Sequence, residues 1–187
     1  MEKSENEIRN ILEKCQPDIE RLRKMMLNMY AVSNIRYWYW CLSHFKKTEK
    51  LHEDIMKMDA LTTSIVVSYG RLFGKGTKST ILNQKIIPDS LKQTHKSIIN
   101  LRHERYAHHG VHTSIENNIR IKFNGFSFVI TPDMQIGIWL GAPKEWASLF
   151  SWLDAHMYET MKKNLELLTK KTGIEWTILH GSSPHWI

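Results

Sequence analysis

The hydrophobic period of this chain changes twice, and those changes limit what it can fold into. From Ile8 to Leu101 apolar residues recur every three or four positions, the spacing of an amphipathic helix. From about residue 117 to residue 140 apolar and polar residues alternate, the period of a strand. From Trp146 the helical spacing returns. A chain of 187 residues patterned this way reads as a mainly α bundle. One small β-hairpin or meander is inserted before the last long helix.

The segments follow from local signals. Residues 4–27 step through Ile8, Ile11, Leu12, Ile19, Leu22 and Met26 and read as helix, with Pro17 expected to kink or split it. Residues 28–47 continue as an aromatic-rich helix. Residues 50–73 form a third, ended by Gly74 and Gly76 in "GKGTKS". Pro88 suits the start of a fourth helix and Gly110 the residue past its end. Asn124-Gly125, flanked by alternating residues, predicts a hairpin turn. A third short strand is expected at 134–140, after a Pro132-Asp133 turn. The last helix spans 143–172, Gly173 closes it, and the tail 173–187 reads as a short strand and loop. The chain is expected to form one domain over 1–187: helices to 110, a β insertion at 117–140, then the long helix and tail.

Composition narrows the class. Hydrophobic residues make up 42% of the chain, enough for a packed core, which excludes a disordered chain. The net charge of +7 favours polyanionic partners, nucleic acid first. Cys15 and Cys41 are the only cysteines and form no CxxC pair, which suits a reducing compartment. "MEKSENEIRN" has no apolar signal region, and no run of 18 apolar residues occurs, so the expected location is cytoplasmic with no membrane partner.

The stretch "NLRHERYAHHG", residues 100–110, concentrates the chemistry. Leu91, Thr94, Ile98 and Leu101 step along one helical face, and the same stepping reaches Arg105 and then His108. Arg102 flanks that face. A cation there needs a partner, a cleft or a ligand. Glu104 reads as pointing elsewhere. The plainer alternative is a capped helix end, because helix C-termini attract Lys, Arg and His.

"LRHERYAHHG" resembles the Arg-x(4–6)-His signature of the HEPN superfamily, the higher eukaryotes and prokaryotes nucleotide-binding domain. Arg102 with five intervening residues gives His108; with six it gives His109. The "YAH" ending resembles that of many HEPN families and favours His108. "SIVVSYGRLF" is similar to a segment of abortive-infection-type HEPN proteins, and the order of helices, signature helix, β insertion and long helix is similar too. The architecture is shared over roughly residues 5–172, but only about ten residues carry the motif.

The resemblance implies a homodimeric, metal-independent endoribonuclease with no cofactor, acting as a toxin or in antiphage defence. Arg102 would grip phosphate and His108 would move protons, with two copies of each across the dimer. His103, His109 and Arg105 would assist. Arg71 is a further candidate for RNA contact, as are Lys75 and Lys78 in the basic loop. An unregulated ribonuclease would poison its host, which implies a cognate antitoxin or regulatory protein. The rival reading is a non-catalytic HEPN-like module that binds nucleotide, RNA or protein. In some HEPN toxins a tyrosine two residues past the histidine is modified; that position is Gly110 here, so the regulation does not carry over to Tyr106.

Weaker signals carry less. His108 and His112 have metal-chelating spacing, but Gly110 interrupts the helix that spacing would need. "GKGTKS" lacks the phosphate-loop spacing. "RYWYW" reads as core before it reads as a base-stacking platform, and the face of Trp146, Phe150, Trp152 and Leu153 reads as core or dimer surface.

Overall fold

The computed structural model describes residues 4–74, 81–107, 115–136 and 143–178. It is mainly helical, with a two-stranded antiparallel sheet before the last helix. Helix α1 runs from Glu5 to Ser43. Ser4 opens it with a capping box: its backbone N–H donates to Glu7 Oε2 at 2.8 Å, and its hydroxyl accepts from the Glu7 N–H at 3.4 Å. Pro17 lies inside α1 and does not end it, correcting the expected split. Proline removes one hydrogen bond and crowds the preceding turn. Here Cys15, Met25, Val32, Ile35 and Leu42 bury the helix on both sides of that point. Packing over 39 residues outweighs a local cost of about 3 kcal/mol.

Helix α2, Leu51–Phe73, and helix α4, Lys144–Thr172, both pack along α1. Helix α3, Lys92–Leu101, follows two short 3₁₀ turns at Gln84–Ile86 and Asp89–Leu91. The core gathers Val32 and Ile35 from α1, Ile65, Val66 and Tyr69 from α2, Ile98 from α3, and Leu149, Phe150 and Leu153 from α4. Each such side chain contributes about 1.5–3 kcal/mol by leaving water. Aromatic edges lock the layers: the Phe150 ring stands 5.5 Å from Tyr39 and 5.8 Å from Tyr69. Trp38 and Tyr39 pack on this core, as the sequence predicts, while Tyr37 is exposed. A partly buried ion pair joins Arg36 of α1 to Asp154 of α4.

Gly173, at φ 67°, closes α4 by donating its N–H to the Thr169 carbonyl at 2.8 Å. The following residues 174–178 are irregular, not the expected strand. They are held instead by Thr172 and Thr169, whose hydroxyls accept from Trp176.

Strands β1, Ile115–Phe123, and β2, Phe128–Ile136, form the hairpin. Gly125 sits at φ 98°, and the Asn124 side chain accepts from the Phe126 and Ser127 N–H groups. Pro132 and Asp133 do not turn the chain. They lie inside β2, opposite Ile119 and Asn118, so the expected third strand beginning at 134 is the end of β2. Proline is tolerated because a two-stranded sheet consists of edges alone. Residues 137–140 lie outside the described residues.

Candidate functional site

The segment Arg102–Ala107 continues α3 as a π-helix. Six residues with i→i+5 bonding are a long run of a form that usually appears as single turns, often at functional sites. The wider turn also changes which side chains align. The alignment of His108 with Leu101 assumed α-helical pitch, and that pitch does not hold across this segment. His108 and His109 themselves lie outside the described residues, as do Lys75 and Lys78 of the basic loop.

Arg102 is half-buried and lies across α2. A Cβ built on Gly70 would stand 2.5 Å from Arg102 Cδ and 3.0 Å from Nε. A side chain at residue 70 would displace the arginine from this position. Arg71 is the next residue of α2; it is exposed, in the helix's last turn. Gly70 is thus the residue of α2 that meets Arg102, and the Arg71 side chain leaves the helix about 100° further round.

Arg105 has a different environment. Its side chain is 6% exposed and pairs with Asp59 of α2, Nη2 to Oδ1 at 2.6 Å. The buried-face cation predicted from stepping is present, and Asp59 is the partner it requires. Arg105 also lies over the Tyr106 ring, 5.2 Å from its centroid. These contacts make Arg105 a clamp between the π-helix and α2, with its charge matched inside the fold. His103 is exposed on the same segment, and Glu104 is exposed beside it.

Tyr106 packs against the core, and its hydroxyl is buried without a hydrogen bond of good geometry among the described residues. Thr63 of α2 is its nearby polar group. Burial raises the Tyr106 pKa, and Arg105 and Thr63 oppose that rise. An enclosed hydroxyl is poorly placed for modification.

Behind this segment, Tyr69 and His95 tie α2 to α3. The Tyr69 hydroxyl stands 2.7 Å from His95 Nδ1, and the His95 ring packs edge-on to Phe73 at 4.7 Å. Both polar groups are buried. Burial pushes the tyrosine pKa up and the histidine pKa down, so both are neutral at pH 7.

A cavity of about 380 Å³ beside the segment is lined by Gln93, Lys96, Ser97, Asn100, Glu104 and Trp146. Neither Arg102 nor Arg105 lines it. A larger cavity, about 610 Å³, lies between α4 and residues 175–178, remote from the signature in the chain. Among the described residues no group of three His, Cys, Asp or Glu side chains gathers to hold a metal ion. No helix among them is long and apolar enough to cross a membrane.

The sequence singles out Arg102, Arg105 and Arg71 as candidates but not Asp59, Gly70 or the Tyr69–His95 pair, which the fold sets beside them. Only Gly70, a helix-weakening residue inside a strongly helical pattern, carried a signal that could have been read. Compared with models of protein families, with curated proteins and with solved structures, the chain matches none.

Proposed function

We propose that this protein is a metal-independent endoribonuclease of HEPN type. It would work as a homodimer in the cytoplasm, as a toxin or antiphage-defence effector restrained by a cognate antitoxin or regulatory protein. The observation that carries the reading is Arg102, held against Gly70 within a π-helical "RHERYA" segment. An arginine seated in a bed built for it is preorganised, and preorganised cations are what a developing phosphorane needs. Arg105, paired to Asp59, fixes the segment to α2 and leaves Arg102 as the phosphate-gripping member of the pair.

The chemistry needs no redox step. A histidine removes the proton from an RNA 2′-hydroxyl, and that oxygen attacks the adjacent phosphorus. The bond to the 5′-oxygen breaks, and a second histidine donates a proton to the leaving group. The products are a 2′,3′-cyclic phosphate and a 5′-hydroxyl. His108 is the histidine assigned by the signature; a free imidazole titrates near ~6.5, which suits the side chain to either role. A dimer supplies both copies. The guanidinium of Arg102 stays charged throughout and takes the non-bridging oxygens. Arg71, one residue from the Gly70 contact, extends the basic surface along the RNA path.

The test is cleavage of total RNA in EDTA by wild type, Arg102→Ala and His108→Ala. Cleavage by wild type alone, ending in cyclic phosphate, is the expected result. Cleavage by all three overturns the assignment of these residues. Retention of RNA without cleavage by wild type favours the non-catalytic binding module.

A further inference from the structure

The hairpin ends in an apolar tip that the fold leaves uncovered. Every side chain from Ile121 to Ile130 is exposed, and neither strand packs extensively against a helix. Six of these ten residues are large apolar groups, led by Phe126 at 98% and Phe128 at 72% exposure. Single exposed apolar residues are ordinary on a protein surface, whereas a contiguous cluster marks an interaction site.

The placement of the six selects among partners. Alternation and register put Ile121, Phe123, Phe128 and Ile130 on one face, with the Phe123 and Phe128 rings 5.1 Å apart. Val129 lies on the opposite face, paired with Lys122. Phe126 stands in the turn that joins the strands. Apolar groups therefore surround the tip on both faces and at its end. A strand added in the plane of the sheet covers neither face, and a flat partner covers one. A medium into which the tip sinks covers all of them.

The turn can leave water at little cost. Asn124 Oδ1 accepts from the Phe126 N–H at 3.1 Å, the Ser127 N–H at 2.8 Å and the Ser127 hydroxyl at 3.3 Å. The Asn124 N–H donates to the Ser127 carbonyl at 3.1 Å. Polar groups already paired with one another lose little when solvent is removed, whereas unpaired ones would oppose removal.

Charge sets the height at which the tip stops. Lys122 is the one charged residue among positions 121–130, and residues 117–132 contain no acidic residue. At about 3.3 Å per residue, position 122 lies roughly 10 Å behind the end of the turn. Apolar faces seated in a bilayer interface reach about 5–10 Å past the headgroups. A lysine at that height extends its ammonium back to the phosphates. The outward backbone groups of both strands need water or headgroup oxygens, so only the tip enters. The net charge of +7 adds attraction to an anionic leaflet. RNA would answer the same charge, but Lys122 stands on the face away from the Phe123–Phe128 pair on which bases would stack. Ile121, Val129 and Ile130 have no ring for a base at all.

We infer that the hairpin tip seats the protein on an anionic phospholipid bilayer. Phe126, Phe123 and Phe128 enter the interface, and Lys122 meets the lipid phosphates. No helix among the described residues is long and apolar enough to cross a membrane, and surface seating uses none.

The experiment is flotation of the full chain with liposomes of phosphatidylcholine, with and without phosphatidylserine, at low and physiological salt. Two variants accompany it, Phe126→Ser/Phe128→Ser and Lys122→Glu. Both change exposed positions, and an unchanged helical circular dichroism spectrum shows that the bundle is folded. The wild type should float with the serine-containing liposomes and less with the neutral ones. The double variant should lower that partition at least about tenfold, and Lys122→Glu about fivefold or more on anionic liposomes alone. A wild type that floats with neither overturns the inference, and so does flotation that either variant leaves undiminished. If the wild type stays off liposomes but binds single-stranded RNA through the two phenylalanines, the tip is a stacking platform and the inference fails. A dimer that the double variant dissociates, with no flotation, makes the tip a contact between copies and overturns it equally.

Discussion

Arg102 occupies the space that a side chain on Gly70 would fill, with Arg102 Cδ 2.5 Å from the site of the missing Cβ. The two residues couple a helix interior to the candidate phosphate ligand. Glycine inside a helix costs about 1 kcal/mol relative to alanine. Gly70→Ala should therefore leave thermal stability level or slightly raised, because the arginine stem can swing away. RNA cleavage should fall by at least about tenfold, the cost of a misplaced ligand. Thermal melting and cleavage measured on one preparation separate the two effects. A variant that melts lower and cleaves in proportion to its folded fraction would make Gly70 a packing residue alone.

Arg105 and Asp59 form a pair buried on one side only: the arginine side chain is 6% exposed and the aspartate 40%. Removing the aspartate strands a buried guanidinium, whereas removing the arginine leaves a carboxylate that water reaches. Asp59→Ala should cost about 2–3 kcal/mol, toward the low end for a broken buried pair. Arg105→Met keeps the stem volume and should cost about 1 kcal/mol or less. Urea denaturation of the two variants checks the order. The reverse order would place the charge of Arg105 outside the fold's own electrostatics and return it to the residues expected to assist Arg102 and His108.

The turn of the hairpin offers a separate check. Gly125 holds φ 98°, a conformation that costs other residues of order 1 kcal/mol or more. Asn124 Oδ1 accepts from the backbone of both Phe126 and Ser127. Gly125→Val and Asn124→Ala should each loosen the hairpin without touching the helical core. Amide hydrogen exchange should accelerate across residues 115–136 while α2 and α4 stay protected. Equal acceleration in the helices would mean that hairpin and bundle unfold together.

Helix spacing, the Gly173 cap and the Asn-Gly turn are local signals, and each sits where the sequence placed it. Pro17 and Pro132 misled for the same reason. Proline reports a local cost, and tertiary burial in one case and an unpaired strand edge in the other absorb it. The π-helix left no trace in the pattern, because a shift from i→i+4 to i→i+5 bonding over six residues barely alters apolar spacing. Arg102 was legible from its neighbours in sequence. Its bed at Gly70 and the Asp59 clamp on Arg105 were not, since both depend on how α2 lies against α3, at separations of 32 and 46 residues.

His95 supplies a pH signature. Buried beside Tyr69 and Phe73, its pKa is lowered by desolvation. In the unfolded chain the same imidazole titrates near ~6.5. Between the folded and unfolded pKa values the unfolded state binds more protons, so stability rises with pH across that window. Above about pH 6.5 the full stability is present; acidification removes it progressively as pH falls toward the folded value. His156, lowered by burial and by Lys163, adds a slope of the same sign. The urea midpoint should fall from pH 7.5 to pH 5, and His95→Phe should flatten part of that fall while leaving the His156 share. Tyr69→Phe removes the hydroxyl that faces Nδ1 and should lower the midpoint across the whole range, by about 1 kcal/mol for one buried hydrogen bond. An unchanged slope in His95→Phe would mean that folding leaves the proton affinity of His95 unaltered; a steeper fall on acidification would mean that the fold holds it as the imidazolium.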